Sequence, residues 1–135
     1  MSTSVIFRHE TAQKGVETVA AAKALGYGDS GKVFILSAAA GAAITLPALL
    51  EGLHFKFIVG SAFATTNWTI VSSTDVIEGY AAVNYATIAA ANENTISFVA
   101  TAETIGDSVE LICDGTSWHV SGQGSATGSI TFTAP

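Results

Sequence analysis

One cysteine (Cys113), two prolines, one methionine and five lysines plus arginines are all that this 135-residue chain holds of those residue types. A lone cysteine excludes an intramolecular disulfide. Five cations spread singly along the chain leave no basic patch to neutralise phosphates. That argues against nucleic acid and against an anionic membrane surface as partners. Charged residues make up 12 % of the chain, about half the usual share of a soluble domain, and the net charge is −6. The mean hydropathy of +0.47 raises the question of a membrane. No stretch, however, approaches the roughly 18 uncharged apolar residues of a spanning helix. Small residues supply much of that value. The first ten residues lack the basic start and apolar run of a secretory leader, so the expected setting is the cytoplasm or something assembled there.

What is present is β-branched and aromatic. Val, Ile, Leu and Phe recur throughout, which excludes a disordered chain, and the length suits one domain. Residues 1–30 carry three acids (Glu10, Glu17, Asp29) and three bases (Arg8, Lys14, Lys23), so this zone is locally neutral. Its large apolar residues cluster at Val5-Ile6-Phe7. The zone reads as an extended N-terminal arm and connection ahead of an all-β domain over 31–135. Within it, residues 16–25 suit either a short Ala-rich helix or a strand followed by a loose connection.

From residue 32 onward, short apolar runs alternate with turn clusters at roughly 8–12-residue spacing, the pattern of a β-sandwich or barrel. The runs cover 32–37, 43–46, 53–59, 68–72, 83–88, 95–100, 108–113, 117–121 and 129–133. Period-2 alternation is visible in Ser108-Val109-Glu110-Leu111-Ile112 and in Leu53-His54-Phe55-Lys56-Phe57. Turns are expected at Asp29-Ser30-Gly31, Glu51-Gly52, Glu78-Gly79, Asp114-Gly115 and Ser121-Gly122. Asp114-Gly115 is the sharpest: a two-residue loop between Cys113 and Thr116 that supplies positive φ at low cost. Pro47 ends the run before it or places that run on an edge. No 20–50-residue repeat is visible, which disfavours a solenoid.

Motifs with chemical meaning are few. Residues 26–32, Gly-Tyr-Gly-Asp-Ser-Gly-Lys, match both G-x-G-x-x-G and G-x-x-x-x-G-K. Both patterns need a strand before and a helix after. Here Ala-rich sequence precedes and Val33-Phe34-Ile35-Leu36 follows, so the stretch reads as a glycine turn. His9, His54 and His119 lie far apart and no zinc spacing occurs, so no metal and no cofactor are expected. Cys113 reads as a small buried hydrophobe, and a Cys113–His119 nucleophile pair lacks anything to orient it. No G-x-S-x-G occurs, and Glu103, Asp107 and Glu110 form no compelling carboxylate pair. The expectation is therefore not an enzyme. Trp68, Trp118, Tyr80 and Tyr85 suit sugar stacking only if they share a face, and Trp118 reads as a core anchor. Asn67-Trp68-Thr69 is a formal glycosylation sequon, without meaning in the absence of secretion.

The order Gly31–Leu36, Gly41–Pro47, Gly52–Phe57 and Asp114–Val120 resembles small virion proteins of tailed bacteriophages, especially head decoration (cement) proteins. The similarity covers roughly residues 29–122 and rests on strand-and-turn features. It implies a β-tulip-like body and a symmetric homo-oligomer, commonly a trimer, on the virion capsid surface. The major capsid protein would be the partner, and the function would be stabilisation of the head by bridging capsid subunits. A receptor- or glycan-binding module of a tail or spike is the second reading. On the capsid reading, Val5, Ile6, Phe7, Arg8 and His9 form the contact. Such an apolar triplet in a polar stretch is an exposed liability unless it covers itself or adds a strand to a neighbour.

Overall fold

The computed structural model describes residues 15–134. Twelve strands form the body. In chain order they are β1 (Val16–Val19), β2 (Lys23–Ala24), β3 (Val33–Leu36), β4 (Ala43–Thr45), β5 (His54–Val59), β6 (Trp68–Val71), β7 (Ile77–Val83), β8 (Ala86–Glu93), β9 (Thr95–Phe98), β10 (Ser108–Cys113), β11 (Trp118–Gly124) and β12 (Ile130–Thr133). They make a seven-stranded sheet in the order β1-β3-β5-β10-β11-β7-β8 and a five-stranded sheet in the order β12-β9-β6-β4-β2. The two mixed sheets pack as a sandwich. The expectation of an all-β sandwich or barrel therefore resolves to a sandwich.

The first half winds between the sheets. Odd-numbered strands β1, β3 and β5 pair in parallel in one sheet, and β2, β4 and β6 pair in parallel in the other. Parallel neighbours need a crossover, and here each crossover is itself a strand of the opposite sheet. The resulting short coil was invisible in the sequence, because its turns differ in length: Val16 pairs with Val33, and Val33 with Lys56. The second half is antiparallel at β5–β10, β10–β11, β6–β9, β9–β12 and β7–β8, with β7 and β11 as its one parallel pair.

The core lies between the sheets and follows the period-2 pattern. On β10, Val109, Leu111 and Cys113 point inward while Glu110 and Ile112 face out. Phe34, Phe55, Phe57 and Trp118 form its aromatic centre, with Phe34 and Phe57 stacked at a centroid distance of 5.5 Å. Trp68, Ile70, Ile96 and Phe98 supply the facing layer from the smaller sheet.

Several expectations need correction. The domain does not start at residue 31: β1 is an edge strand of the large sheet and β2 of the small one. Val19 and Leu25 are buried, and Leu25 N–H donates to Thr45 O. Pairing with β3 and β4 overrides the helix propensity of the alanines. The run 83–88 is a hairpin rather than a strand. Val83 pairs with Ala86, and Asn84 and Tyr85 take φ of +48° and +66°, the type I′ geometry that matches strand twist. Glu78-Gly79 and Ser121-Gly122 are not turns but lie inside β7 and β11. There, glycine permits close approach: a Cβ at Gly122 would sit 2.8 Å from Val109 Cγ1.

Candidate functional site

The hairpin between β10 and β11 gathers a polar cluster around Asp114. Cys113 pairs with Trp118, so four residues, Asp114 to Ser117, close the loop instead of the expected two. Asp114 N–H donates to Ser117 O at 3.1 Å. Gly115, at φ +98°, turns the chain at the tip. The Asp114 carboxylate accepts from Thr116 N–H (2.8 Å), Thr116 O–H (2.9 Å) and Ser117 N–H (2.8 Å). It also lies 2.8 Å from His119 Nε2. The His119 contact first, then the backbone donors, hold this carboxyl well below the ordinary carboxylate range. A carboxylate with its lone pairs so engaged closes a turn; it is poorly placed to serve as a base or a ligand.

The other candidates disperse. His54 and His119 both pair across from Ile112 on the outer face of the large sheet. The isoleucine therefore stands between them. Cys113 is buried while His119 is exposed, so thiol and imidazole lie on opposite faces and form no nucleophile pair. Glu103 Oε1 accepts Phe63 N–H at 3.0 Å. Buried Asp107 accepts from Thr104 N–H (2.9 Å) and Ser125 N–H (3.1 Å). Glu110 pairs with Lys56 at 3.5 Å. Each carboxylate is committed to a different loop or strand.

The glycine-rich stretch forms a 3₁₀ turn over Tyr27–Asp29. Asp29 accepts Gly26 N–H at 3.0 Å. Lys32 Nζ pairs with Asp29 at 2.9 Å and with Glu17 at 3.2 Å, and Glu17 also pairs with Lys23. These contacts lower the Glu17 and Asp29 pKa values and raise that of Lys32. The motif's lysine is neutralised and a strand follows it, so no phosphate cradle is built.

Trp68 and Trp118 are fully buried, which removes both from any sugar platform. Tyr80 on β7 and Tyr85 at the hairpin tip remain exposed. Among the described residues, no group of three His, Cys, Asp or Glu side chains is placed to hold a metal ion. Nor is any helix among them long and apolar enough to cross a membrane. The expected contact residues Val5, Ile6, Phe7, Arg8 and His9 lie outside the described residues.

Two surface features stand out instead. The first is the broad outer face of the large sheet, seven strands or about 29 Å wide at the usual strand spacing. It carries exposed Val16, Tyr80 and Ile112, with the Lys56–Glu110 pair between them. The second is a groove of about 340 Å³ where edge strand β8 of one sheet meets edge strand β12 of the other. Val83, Ile88, Ile130 and Phe132 line it. Sequence reasoning missed this groove because residues 83–88 read as one strand. The signal was Asn84, a residue tolerant of positive φ, between two runs of small and apolar residues. Comparison with protein-family models, curated proteins and solved structures finds no match for this chain.

Proposed function

We propose that the protein is a structural module that works by surface contact, as a homo-oligomeric decoration protein bridging subunits of a virion capsid. The observation that carries this reading is the outer face of the large sheet. It is wide, low in charge, and presents Val16, Tyr80 and Ile112 to solvent, exposed by 65, 63 and 56 %. Such a face suits apposition to another protein surface, since apolar and aromatic residues are favoured and charges depleted at interface centres. The polar clusters support it by default of chemistry: Asp107, Asp114 and Glu103 are spent on holding loops. Attachment through several copies in a trimer turns weak single contacts into slow release. The partner is the major capsid protein, and the site of action is the capsid surface of particles assembled in the host cytoplasm. Nucleic acid, membrane, cofactor and catalysis have no part in the proposal.

The test is addition of the purified protein to undecorated particles, with copy number read by gel densitometry. Hundreds of copies per particle, lost on Ile112→Glu with Tyr80→Glu, are the expected result. A few tens of copies or fewer would move the protein to a tail or spike, where exposed Tyr80 and Tyr85 make a glycan- or receptor-binding module the better reading. No association with particles would end the virion assignment.

A further inference from the structure

The hairpin joining β7 to β8 is strained at a position where nothing inside the chain relieves it. Its two tip residues, Asn84 and Tyr85, have φ of +48° and +66°. Asparagine tolerates that region, but a bulky residue in it is an outlier, and the second tip position of such a turn ordinarily goes to glycine. Tyr85 stands there with a relative exposure of 106 %. Its ring is as open to solvent as in an unfolded chain, so it packs on no core and closes no gap. Strain of this kind collects where a chain meets something outside itself.

Beside Tyr85 lies a hollow of about 320 Å³, lined also by Ala82, Asn84, Gln123, Gly124 and Ser125. Ala82 and Gly124 contribute almost no side chain. Tyr85, Asn84, Gln123 and Ser125 supply one aromatic ring, two amides and a hydroxyl. A second hollow of about 320 Å³ shares Gln123, Gly124 and Ser125 and continues to Thr104 and Asp107. The lining segments are tied to one another. Asn84 N–H donates to Gly124 O at 3.0 Å, and its Nδ2 donates to Thr127 Oγ1 at 2.6 Å. Ser125 O–H donates to Thr104 Oγ1 at 2.7 Å, and Ser125 N–H to Asp107 Oδ1 at 3.1 Å. The hollows are therefore formed in the free chain, which lowers the ordering cost of binding.

We infer that these adjoining hollows bind a neutral oligosaccharide, one sugar ring stacked on Tyr85 and its neighbour seated beyond Gln123 and Ser125. Charge selects a neutral ligand. Among the described residues, no lysine, arginine or histidine lines either hollow, so a phosphate or carboxylate meets no counter-charge. The one carboxylate, Asp107, is buried, and both its oxygens accept backbone N–H groups. Polar chemistry selects a polyhydroxyl compound. Amides and hydroxyls both donate and accept, as sugar hydroxyls require, and the tyrosine ring offers an apolar face to the C–H side of a pyranose. Topology disfavours an extended peptide. β7 lies between β11 and β8, and β11 between β10 and β7, so Ala82 and Gln123 sit on interior strands with no open backbone row for an added strand. Each hollow is about twice the roughly 150 Å³ that houses one benzene ring, which suits a single sugar unit with its hydroxyls. The site lies at the rim of the sandwich and does not rest on the capsid reading.

The test applies the full chain, biotinylated, to an array of neutral, sialylated and sulfated oligosaccharides. Retention on neutral glycans is expected, weakened at least tenfold by Tyr85→Ala and by Gln123→Ala. Tyr27→Ala, at an exposed tyrosine on the 3₁₀ turn, should leave it unchanged. No neutral glycan held above the level of the Tyr85→Ala variant overturns the inference. So does a preference for sialylated or sulfated glycans, since neither hollow offers a cation. Loss of binding with Tyr80→Ala but not with Tyr85→Ala also overturns it, by moving the sugar onto the sheet face. Tyr85→Gly separates binding from structure: its melting temperature should rise as the strain is relieved, while binding is lost. A fall in melting temperature would show that the ring serves the fold, and would overturn the inference. No particles are involved, so a failure here is distinct from a failure of the capsid reading.

Discussion

Replacing Gly79 by alanine should be among the most damaging one-carbon changes available in this protein. Gly79 lies inside β7 at φ +130°, a region that side chains beyond glycine enter at a cost of about 1–3 kcal/mol. The new Cβ would also run into the Val120 carbonyl oxygen of the parallel neighbour β11, and would lie 3.1 Å from Val120 N. All three nearest atoms belong to backbone, so no flexible side chain can yield. Overpacking of this kind adds about 1–3 kcal/mol. Together they come to about 2–6 kcal/mol. Gly52→Ala is the control. Gly52 also has positive φ, +94°, yet nothing lies within 4 Å of the Cβ position, so it reports conformational strain alone. Urea denaturation followed by the fluorescence of buried Trp68 and Trp118 gives both values. With a slope of about 1–3 kcal/mol/M, Gly79→Ala should lower the midpoint by about 1 M or more, and clearly further than Gly52→Ala. Equal shifts for the two variants would refute the close approach of β7 and β11.

Gly115→Val should destabilise by about 1 kcal/mol or more, because a β-branched residue resists the φ of +98° at the hairpin tip; an unchanged melting curve would count against the turn. Asp114→Asn should lower the melting temperature near neutral pH. The folded Asp114 pKa is depressed, so its stabilisation is present above the unfolded value of about 3.9. It is lost as pH falls from there toward the folded value. The gap between wild type and Asp114→Asn should therefore close on acidification, and a gap that widens instead contradicts the geometry. Phe57→Ala, at a fully buried position stacked on Phe34, should cost about 3–5 kcal/mol in the same denaturation assay. Cys113, buried in the core layer, should resist a thiol reagent until the protein unfolds.

Alternation along single strands was legible from residue order alone. Val109, Leu111 and Cys113 had to share a side, as did Phe55 and Phe57, because a strand's side chains repeat every second residue. An all-β class followed from short runs alternating with turn clusters, and the poor prospects of a phosphate cradle at 26–32 followed from the strand-like run after it. Positions that depend on two distant segments were not legible. Gly79 and Gly122 look like turn residues in the sequence. Only the pairing of β7, β11 and β10 shows them as points of close approach. Residues 16–24 look like a connection until β3 and β4 supply the edges they pair with. The β8–β12 groove joins residues 86–89 to residues 130–132. Local pattern constrains which side a residue faces, whereas strand order and the meeting of two sheet edges arise from long-range pairing and packing, which nearest neighbours in the chain do not encode.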